Sequence, residues 1–237
     1  MTHTVHPYAH RLGIIRDWKS RWFAGDKKTF RENLKVDSDV RVFLTKRLRG
    51  TYTAGIEIER SANELRVILA TARPGLVIGR SGENAAKLRK ELTDIVRKAA
   101  PAHGRVVKLD IVEVRQAELD AAVVAYMVAE GLEKRLPFRR VLKQTVEKVM
   151  AVKEVLGVRI SISGRLGGAE MSRKEQVKKG RIPLQTFRAD IDFAHDKAQL
   201  PYGVIGIKVW IYKGNIYNDK KAPVSAARMP ERISAHV

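Results

Sequence analysis

The sequence predicts an α+β protein with two domains, each built from helices packed with strands around one hydrophobic core. Its 237 residues are 44% hydrophobic, which is enough for two cores of roughly 100 residues each. In both halves, segments with the apolar spacing of helices neighbour segments in which apolar and polar residues alternate, as in strands. We expect an N-terminal extension at 1–36, a first domain at 37–115, a second domain at 116–213 and a short polar tail at 214–237.

The chain is strongly basic. It has 46 Lys and Arg against 26 Asp and Glu, a formal net charge of +20. A solvated basic surface is one explanation, but the excess is clustered, which favours an acidic partner and above all a nucleic acid. Because each phosphate contact releases condensed counterions, such binding should weaken steeply as the salt concentration rises.

The cysteine content and the lengths of the apolar runs indicate the cellular compartment of the protein. The sequence has no cysteine, which excludes disulfides and thiolate metal sites and fits a reducing compartment. The longest apolar run, from Ala121 to Ala129, is too short to span a bilayer. The first residues lack the apolar core of a signal peptide. We therefore expect a cytoplasmic protein that contacts no membrane.

The predicted extension mixes aromatic rings with cations and shows little periodicity. Rings such as Trp18 and Trp22 could stack on bases while Lys19 and Arg21 meet phosphates. The same rings could equally pack onto the neighbouring domain. The residues alone leave both interpretations open.

The first domain is predicted to follow the order helix, strand, strand, helix, helix, strand. The first helix should have Asp37 or Ser38 as its N-cap and end before Gly50. The remaining elements are predicted at 54–58 and 65–69 for an antiparallel hairpin, 75–78 for a short helix, 85–96 for an amphipathic helix and 106–114 for the last strand.

A Gly-x-x-Gly loop, Gly79-Arg80-Ser81-Gly82, separates the short helix from the longer one. Without Cβ atoms the backbone can approach a single-stranded nucleic acid closely, with its amides and the helix N-terminus facing phosphates. Arg80 adds a charge at the tip. In this order of elements the loop predicts a KH module. Such a module could clamp phosphates directly or serve only as a scaffold.

The second domain is predicted to place helices on one face of an antiparallel sheet. Two helices fit between 117 and 154, divided by Leu136-Pro137-Phe138 because proline cannot lie inside either helix. A strand at 158–162 follows, then a glycine-rich basic connection, and then two long strands near 184–193 and 203–212.

Three cations, Arg139, Arg140 and Lys143, lie at the start of the second of these helices. Their spacing places them on adjoining parts of one helical surface. Because the macrodipole disfavours cations near a helix N-terminus, an external anion would relieve this placement. A solvated basic face explains the three residues equally well.

The stretch from Arg159 to Arg181 combines cations and glycines with only two acids, Glu170 and Glu175. It could mould its backbone against RNA, with guanidinium groups binding phosphates or stacking on bases. A flexible loop between strands is the alternative, although long loops in compact domains are usually functional or disordered. The candidate RNA-binding residues are Arg159, Arg165, Gly167, Gly168, Arg173, Lys174, Lys178, Lys179 and Arg181.

The sequence contains no constellation typical of an enzyme, and no Walker A motif. Asp190 and Asp192 share one strand face, and a salt bridge with Arg188 beside them is the expected explanation. Three histidines cluster near the start without a neighbouring cysteine or carboxylate, so we expect no metal site. These are His3, His6 and His10. We expect no catalysis, no cofactor and no small-molecule substrate.

These motifs together closely resemble the family of bacterial-type small-subunit ribosomal protein three, over nearly the whole chain. In the N-terminal half the resemblance is carried by Val5-His6-Pro7, Arg11-Leu12-Gly13-Ile14, Trp18 to Ala24, Ile58-Glu59-Arg60 and Thr71 to Gly82. In the C-terminal half it is carried by Ser163 to Glu170, Arg188 to Asp192, Tyr202-Gly203 and Gly206 to Ile211. A generic KH protein would not supply the C-terminal segments.

The resemblance implies a type II KH domain followed by a family-specific α+β domain, in a structural protein of the small ribosomal subunit. It implies binding to rRNA in the head of the subunit, with Lys19 and Arg21 among the contacts, and neighbours that include ribosomal proteins ten and fourteen. In that family, basic residues after the Pro-Phe step line the channel through which mRNA enters. These residues map onto Arg139, Arg140 and Lys143.

The sequence departs from this family at two places. It has Thr2-His3-Thr4 where Gly-Gln-Lys is common. This difference puts in doubt the contacts that the extreme N-terminus makes in the family. It has Arg80-Ser81 where two lysines are common, which predicts weaker phosphate binding by the loop.

Two other functions compete with the ribosomal one. A free-standing KH regulator or RNA chaperone would be active away from ribosomes. A nuclease or lyase acting on damaged DNA would depend on one ionisable residue for cleavage, and no constellation in the sequence nominates such a residue.

Overall fold

The computed structural model describes residues 5–61, 63–99 and 106–217. Within these ranges the chain divides into two compact units, one formed by residues 18–115 and the other by residues 5–17 together with 116–217. Residues 5–36, assigned from the sequence to one extension, therefore divide between the two units. His3 and residues 218–237 of the predicted tail lie outside the described residues.

The described part of the first unit combines one four-stranded sheet with three helices. Its elements are β1 (Ser20–Arg21), α1 (Lys27–Arg47), β2 (Thr53–Arg60), β3 (Glu64–Thr71), α2 (Pro74–Ile78), α3 (Glu83–Ala99) and β4 (Val106–Glu113). The strands lie in the order β1-β2-β3-β4, with β2 and β3 antiparallel and the other two pairs parallel. The predicted order of helices and strands is confirmed, and β1 is an addition to it.

Helix α1 begins at Lys27, after Asp26, whereas the sequence predicted a start at Asp37 or Ser38. The prediction missed the first turns because their large apolar residues, Phe30 and Leu34, are exposed. Without a buried apolar stripe, the helical period is not visible in the sequence.

The buried side of these first turns is polar. Asp37 is not a cap but a buried carboxylate inside α1. Arg60 of β2 donates from Nε to Oδ1 of Asp37 at 3.1 Å and from Nη1 to Oδ1 of Asn33 at 3.1 Å. Trp22 donates from Nε1 to Oδ2 of Asp37 at 2.8 Å. Since a buried charge is tolerated only when it is paired, this cluster fixes α1 against the sheet.

The core of the first unit lies between α1, α3 and one side of the sheet. Val40 and Leu44 of α1 and Leu92 of α3 are buried against Val67 and Leu69 of β3. This packing fixes α1 and α3 on the sheet. It thereby also fixes the start of α3, where the Gly-x-x-Gly loop ends.

The second unit places two helices on one face of a four-stranded antiparallel sheet, so the predicted fold class is confirmed. Its elements are α4 (Ala121–Glu133), α5 (Phe138–Met150), β5 (Gly157–Gly164), β6 (Arg173–Gly180), β7 (Ala189–Leu200) and β8 (Gly203–Asn215). The strands lie in the order β6-β5-β8-β7, and every neighbouring pair is antiparallel. Alternate side chains such as Ile160 and Val209 are buried against α4 and α5.

The basic connection predicted after β5 is in large part a strand. β6 pairs antiparallel with β5 over its whole length. The sequence did not reveal it because Val177 is its one apolar residue other than glycine, so no alternation marks the strand. Gly180 ends β6 with a φ of +78°, and a Cβ there would lie 2.3 Å from the carbonyl oxygen of Leu156. Only glycine fits this position.

Strand β7 begins at Ala189 rather than near Leu184, because a side chain holds the preceding residues. Arg11 is fully buried and donates from Nε to the Ala189 carbonyl at 2.6 Å. Its Nη2 donates to the carbonyls of Thr186 at 2.9 Å and Leu184 at 3.1 Å. Burial lowers the pKa of this guanidinium, while the charge of Asp190 opposes the change. Arg11 thereby ties the N-terminal segment to the second unit.

Candidate nucleic-acid interface

The predicted Gly-x-x-Gly loop joins α2 to α3. The space beside Gly82 is open, whereas a Cβ at Gly79 would lie 2.7 Å from Nδ2 of Asn84. Gly79, Ser81 and Gly82 have φ values of +75°, +49° and +79°, so the loop turns through conformations that favour glycine. Arg80 and Ser81 are exposed. A phosphate could reach both the backbone and the Arg80 cation. Glu83 in the first turn of α3 adds a negative charge that opposes such binding.

Arg139, Arg140 and Lys143 are all exposed at the start of α5. The helix beneath them is fixed, because Val141 and Leu142 are buried in the core of the second unit. Neither Arg140 nor Lys143 has an ion-pair partner within residues 5–61, 63–99 and 106–217. The helix therefore presents cations to solvent at a fixed spacing.

Arg139 connects α5 to the edge strand β6. Its Nη2 lies 3.3 Å from Oε1 of Glu175, and Nη2 of Arg173 lies 3.5 Å from the same oxygen. Both guanidinium groups also lie near the ring of Phe138, at 5.6 Å and 5.5 Å from its centroid. The fold thus brings the helix cations next to one end of the basic stretch.

Strand geometry divides the rest of the basic stretch between two faces, because successive side chains of a strand point to opposite sides. Val177 packs against the core, so Arg173 and Lys179 lie on its side of the sheet. Lys174 and Lys178 lie on the opposite side, and both are exposed. The cations of the basic stretch therefore lie on two surfaces that meet at β6.

Arg159 of β5 lies on the same side as Lys178, its cross-strand partner. Its guanidinium lies 4.9 Å from the ring centroid of Trp210. Its Nη2 donates to Oε1 of Gln176 at 2.6 Å. The side chain is half-buried and held in place by these contacts, whereas Arg181, just beyond β6, is exposed.

In the turn after β5, Arg165 donates its hydrogen bonds to backbone carbonyls of the protein itself. Arg165 donates from Nε to the Ala169 carbonyl at 2.9 Å and from Nη1 to the Tyr202 carbonyl at 3.2 Å. Gly167 and Gly168 have φ values of +69° and +82°. The guanidinium holds the turn in place, which leaves fewer of its donors for a phosphate.

In the first unit, Arg21 lies between two carboxylates. Its Nη2 is 2.7 Å from Oε2 of Glu57 and 2.7 Å from Oε1 of Glu59. Partial burial lowers its pKa, but the hydrogen bond with Glu59 and the charge of Glu57 outweigh this effect and raise the pKa overall. Arg21 is a neutralised cation, and its neighbour Lys19 is exposed.

Two carboxylates meet at the N-terminus of α4. Asp120 caps the helix by accepting from the amides of Ala122 and Val123, at 2.8 Å and 3.3 Å. Oδ2 of Asp192 accepts from the amide of Ala121 at 2.9 Å. Burial, followed by the charge of Asp192, raises the pKa of Asp120 to about 6. These acids serve the fold rather than a reaction.

The predicted salt bridge between Arg188 and the β7 carboxylates is wrong. Arg16 donates from Nη2 to Oδ1 of Asp190 at 2.7 Å, while Arg188 lies over the ring of Tyr217. The partner was not found because Arg16 is remote in sequence. Among the described residues, no cluster of His, Asp and Glu has the makeup of a metal site. No helix in this part of the chain is long and apolar enough to cross a bilayer.

Strands β7 and β8 bring further cations and rings to the side on which Arg159 lies, and these were not among the residues predicted from the sequence. They are Phe193, His195, Lys197, Lys208 and Trp210. For Lys208 and Trp210 the signal was available, because they alternate with buried residues of the predicted strand at 203–212. His195 and Lys197 lie beyond the predicted end of the other strand at 193.

Comparison with known proteins gives two family matches. Residues 39–119 match the KH domain, and residues 128–211 match the C-terminal domain of ribosomal protein S3. The chain is 45% identical over 227 residues to the small ribosomal subunit protein uS3 of Coxiella burnetii strain RSA 331 / Henzerling II, which covers 96% of each chain. The uS3 proteins of strains CbuG_Q212 and RSA 493 / Nine Mile phase I match with the same identity and coverage.

Proposed function

This chain belongs to the family of small ribosomal subunit protein uS3, and on that premise we propose that it binds rRNA in the head of the subunit and helps to form the channel through which mRNA enters. Family membership makes it a structural constituent of the small subunit and not an enzyme. A match over 96% of the chain also disfavours a free-standing KH regulator.

The exposure of Arg139, Arg140 and Lys143 on a helix fixed by its core carries the mRNA proposal. Cations held at a fixed spacing bind successive phosphates with little loss of backbone freedom, so the cost of ordering is low. Arg173 of β6 extends the same surface through Glu175. This surface can hold the mRNA strand electrostatically without reading its sequence.

For rRNA we propose that the exposed cations contribute most of the affinity. Arg21 and Arg165 are already engaged by Glu59 and by backbone carbonyls, so their contribution is smaller. The Gly79-Arg80-Ser81-Gly82 loop is a separate candidate contact in the first unit. The proposed rRNA contacts are Lys19, Arg21, Arg159, Arg165, Gly167, Gly168, Arg173, Lys174, Lys178, Lys179 and Arg181.

We also propose ribosomal proteins ten and fourteen as neighbours, mRNA as the transient partner and the cytoplasm as the compartment. The family supports these assignments, and the net charge of +20 is what a surface surrounded by phosphates requires.

The mRNA proposal is tested in small subunits reconstituted with the triple variant Arg139→Ala, Arg140→Ala, Lys143→Ala. These subunits should assemble normally but bind mRNA more weakly, with fewer cross-links from the mRNA to this protein. The control replaces two exposed cations elsewhere, Lys148 near the other end of α5 and Lys153 just beyond it. Unchanged mRNA binding by the triple variant overturns the mRNA proposal. A failure to assemble would assign the three residues to rRNA instead.

A further inference from the structure

Among the described residues, α4 and α5 cover only one face of the second sheet, and we call the other the open face: the side of β6-β5-β8-β7 opposite Ile160 and Val209. Its β7 end is partly covered, because Ile182 and Leu184 pack there with Ile191 and Tyr212. The strand register arranges its side chains in rows that cross all four strands. The first row consists of Lys178, Arg159, Trp210 and Phe193.

Two further rows lie beside the first. The second places Lys208 between Ser161 and His195, and the third has Lys174 and Lys197 at its two ends. All the lysines of the three rows are exposed. None of the residues in these rows is acidic, although the chain as a whole has 26 acids. The open face is therefore a segregated cationic surface about 14 Å wide across the four strands.

The centre of the first row is aromatic and polarisable. The Arg159 guanidinium lies 4.9 Å from the Trp210 ring centroid. The Phe193 ring lies 5.2 Å from Trp210, tilted by 43°, and is itself contacted edge-on by the ring of His6 at 4.6 Å. The side chains of Arg159, Trp210 and Phe193 are half-buried, so each is held rigidly while part of it meets solvent. Unstacked bases stack on aromatic rings and on guanidinium planes of this kind.

We infer that the open face binds an unpaired stretch of rRNA. The inference rests on the proposed function and adds to it the form of the RNA and three further residues, Trp210, Lys197 and Lys208. A duplex hides its base faces in the stack, so it would not use the rings. In an unpaired strand, bases can lie on Trp210 and on the Arg159 guanidinium beside it, while phosphates meet Lys197 and Lys208. An acidic protein segment would use the lysines but gains nothing specific from the guanidinium plane.

The test measures binding of the full-length protein to an unpaired RNA oligonucleotide and to an RNA duplex of the same length, as a function of salt. Trp210→Leu should weaken binding of the unpaired RNA by about tenfold and leave the duplex nearly unaffected. The double variant Lys197→Gln, Lys208→Gln should lower the slope of log affinity against log salt by about 1.4. The matched control is Lys148→Gln, Lys153→Gln, which removes the same charge at and just beyond the C-terminal end of α5.

The outcomes separate the inference from the proposed function. If the unaltered protein binds neither RNA, the proposed function fails. If it binds RNA and neither open-face change reduces affinity for the unpaired strand, the inference alone is overturned. Trp210→Phe retains a ring and should retain most of the affinity, and the lysine pair decides the matter if Trp210→Leu does not fold. A photoreactive side chain at position 208 should cross-link to rRNA in assembled subunits, and a cross-link to protein would contradict the inference.

Discussion

Nη2 of Arg139 lies 3.3 Å from Oε1 of Glu175, which links the first turn of α5 to the edge strand β6. Arg173 approaches the same oxygen at 3.5 Å. The surface proposed to hold RNA therefore contains its own carboxylate. This acid competes with phosphates for the two guanidinium groups, so it should limit the affinity of the surface for RNA.

The competition predicts that Glu175→Gln tightens RNA binding. Removing the carboxylate should increase the affinity of the full-length protein for unpaired RNA by about threefold, the effect expected of one exposed ion pair. The salt dependence should also become steeper, because the freed arginines can contact phosphates. Filter binding over a salt series measures both, with Glu154→Gln as a control for the loss of one exposed acid. Weaker binding by Glu175→Gln would show that the acid positions the arginines for RNA.

Arg11 should be one of the residues on which the second unit depends most. Its guanidinium is fully buried and donates to the carbonyls of Ala189, Thr186 and Leu184. Arg11→Ala leaves these acceptors unsatisfied and should lower the free energy of unfolding by about 3 kcal/mol. Urea denaturation measures this change, and Lys153→Ala is the exposed control. A loss below about 0.5 kcal/mol would be a surface effect and would contradict the anchoring role.

Gly180 and Gly167 offer a matched pair of left-handed glycines, with φ values of +78° and +69°. A Cβ at Gly180 would lie 2.3 Å from the Leu156 carbonyl oxygen, whereas a Cβ at Gly167 would have no atom within 4 Å. Gly167→Ala should therefore cost only the backbone strain, about 1 kcal/mol. Gly180→Ala should cost clearly more and increase amide exchange along β6. Equal losses of stability in the two variants would exclude the clash.

Asp120 predicts a pH dependence of stability. Its pKa in the folded chain is raised from 3.8 to about 6, first by burial and then by the charge of Asp192. The folded state thus holds this proton more tightly than the unfolded state. The contribution of Asp120 is therefore most favourable below about pH 4 and is lost as the pH rises to about 6, by about 2 kcal/mol.

Asp120→Asn tests this prediction, because asparagine can still cap α4 but does not titrate. The variant should lack the decline in the free energy of unfolding between about pH 4 and 6 and be more stable than the unaltered protein at neutral pH. Urea midpoints across this range measure the effect. Parallel pH profiles of the two proteins would contradict it.

Apolar periodicity predicted most of the fold. The hairpin of β2 and β3 and the helices of both units were found because each buries a regular set of side chains, such as Leu65 and Val67. The first turns of α1 and strand β6 were missed for the opposite reason. Their exposed or charged residues form no apolar pattern. They are stabilised by tertiary partners, Arg60 for α1 and the neighbouring strand β5 for β6.

The sequence predicted separate parts of the candidate site, but not which of these parts lie next to each other. The spacing of Arg139, Arg140 and Lys143 predicted their shared exposure, because it depends on one helix alone. Their proximity to Arg173 could not be predicted, since it depends on β6 pairing as an edge strand. The same limit applies to Trp210 and Arg159, which become neighbours only when β8 pairs with β5.

The most direct test of the ribosomal assignment is sedimentation of a cell lysate through a magnesium-containing gradient, with and without digestion of RNA, and detection of this protein in each fraction. Co-migration with small subunits that disappears after RNA digestion is the predicted result. A protein that stays at the top of the gradient at low salt would contradict the assignment and return the free KH regulator to consideration.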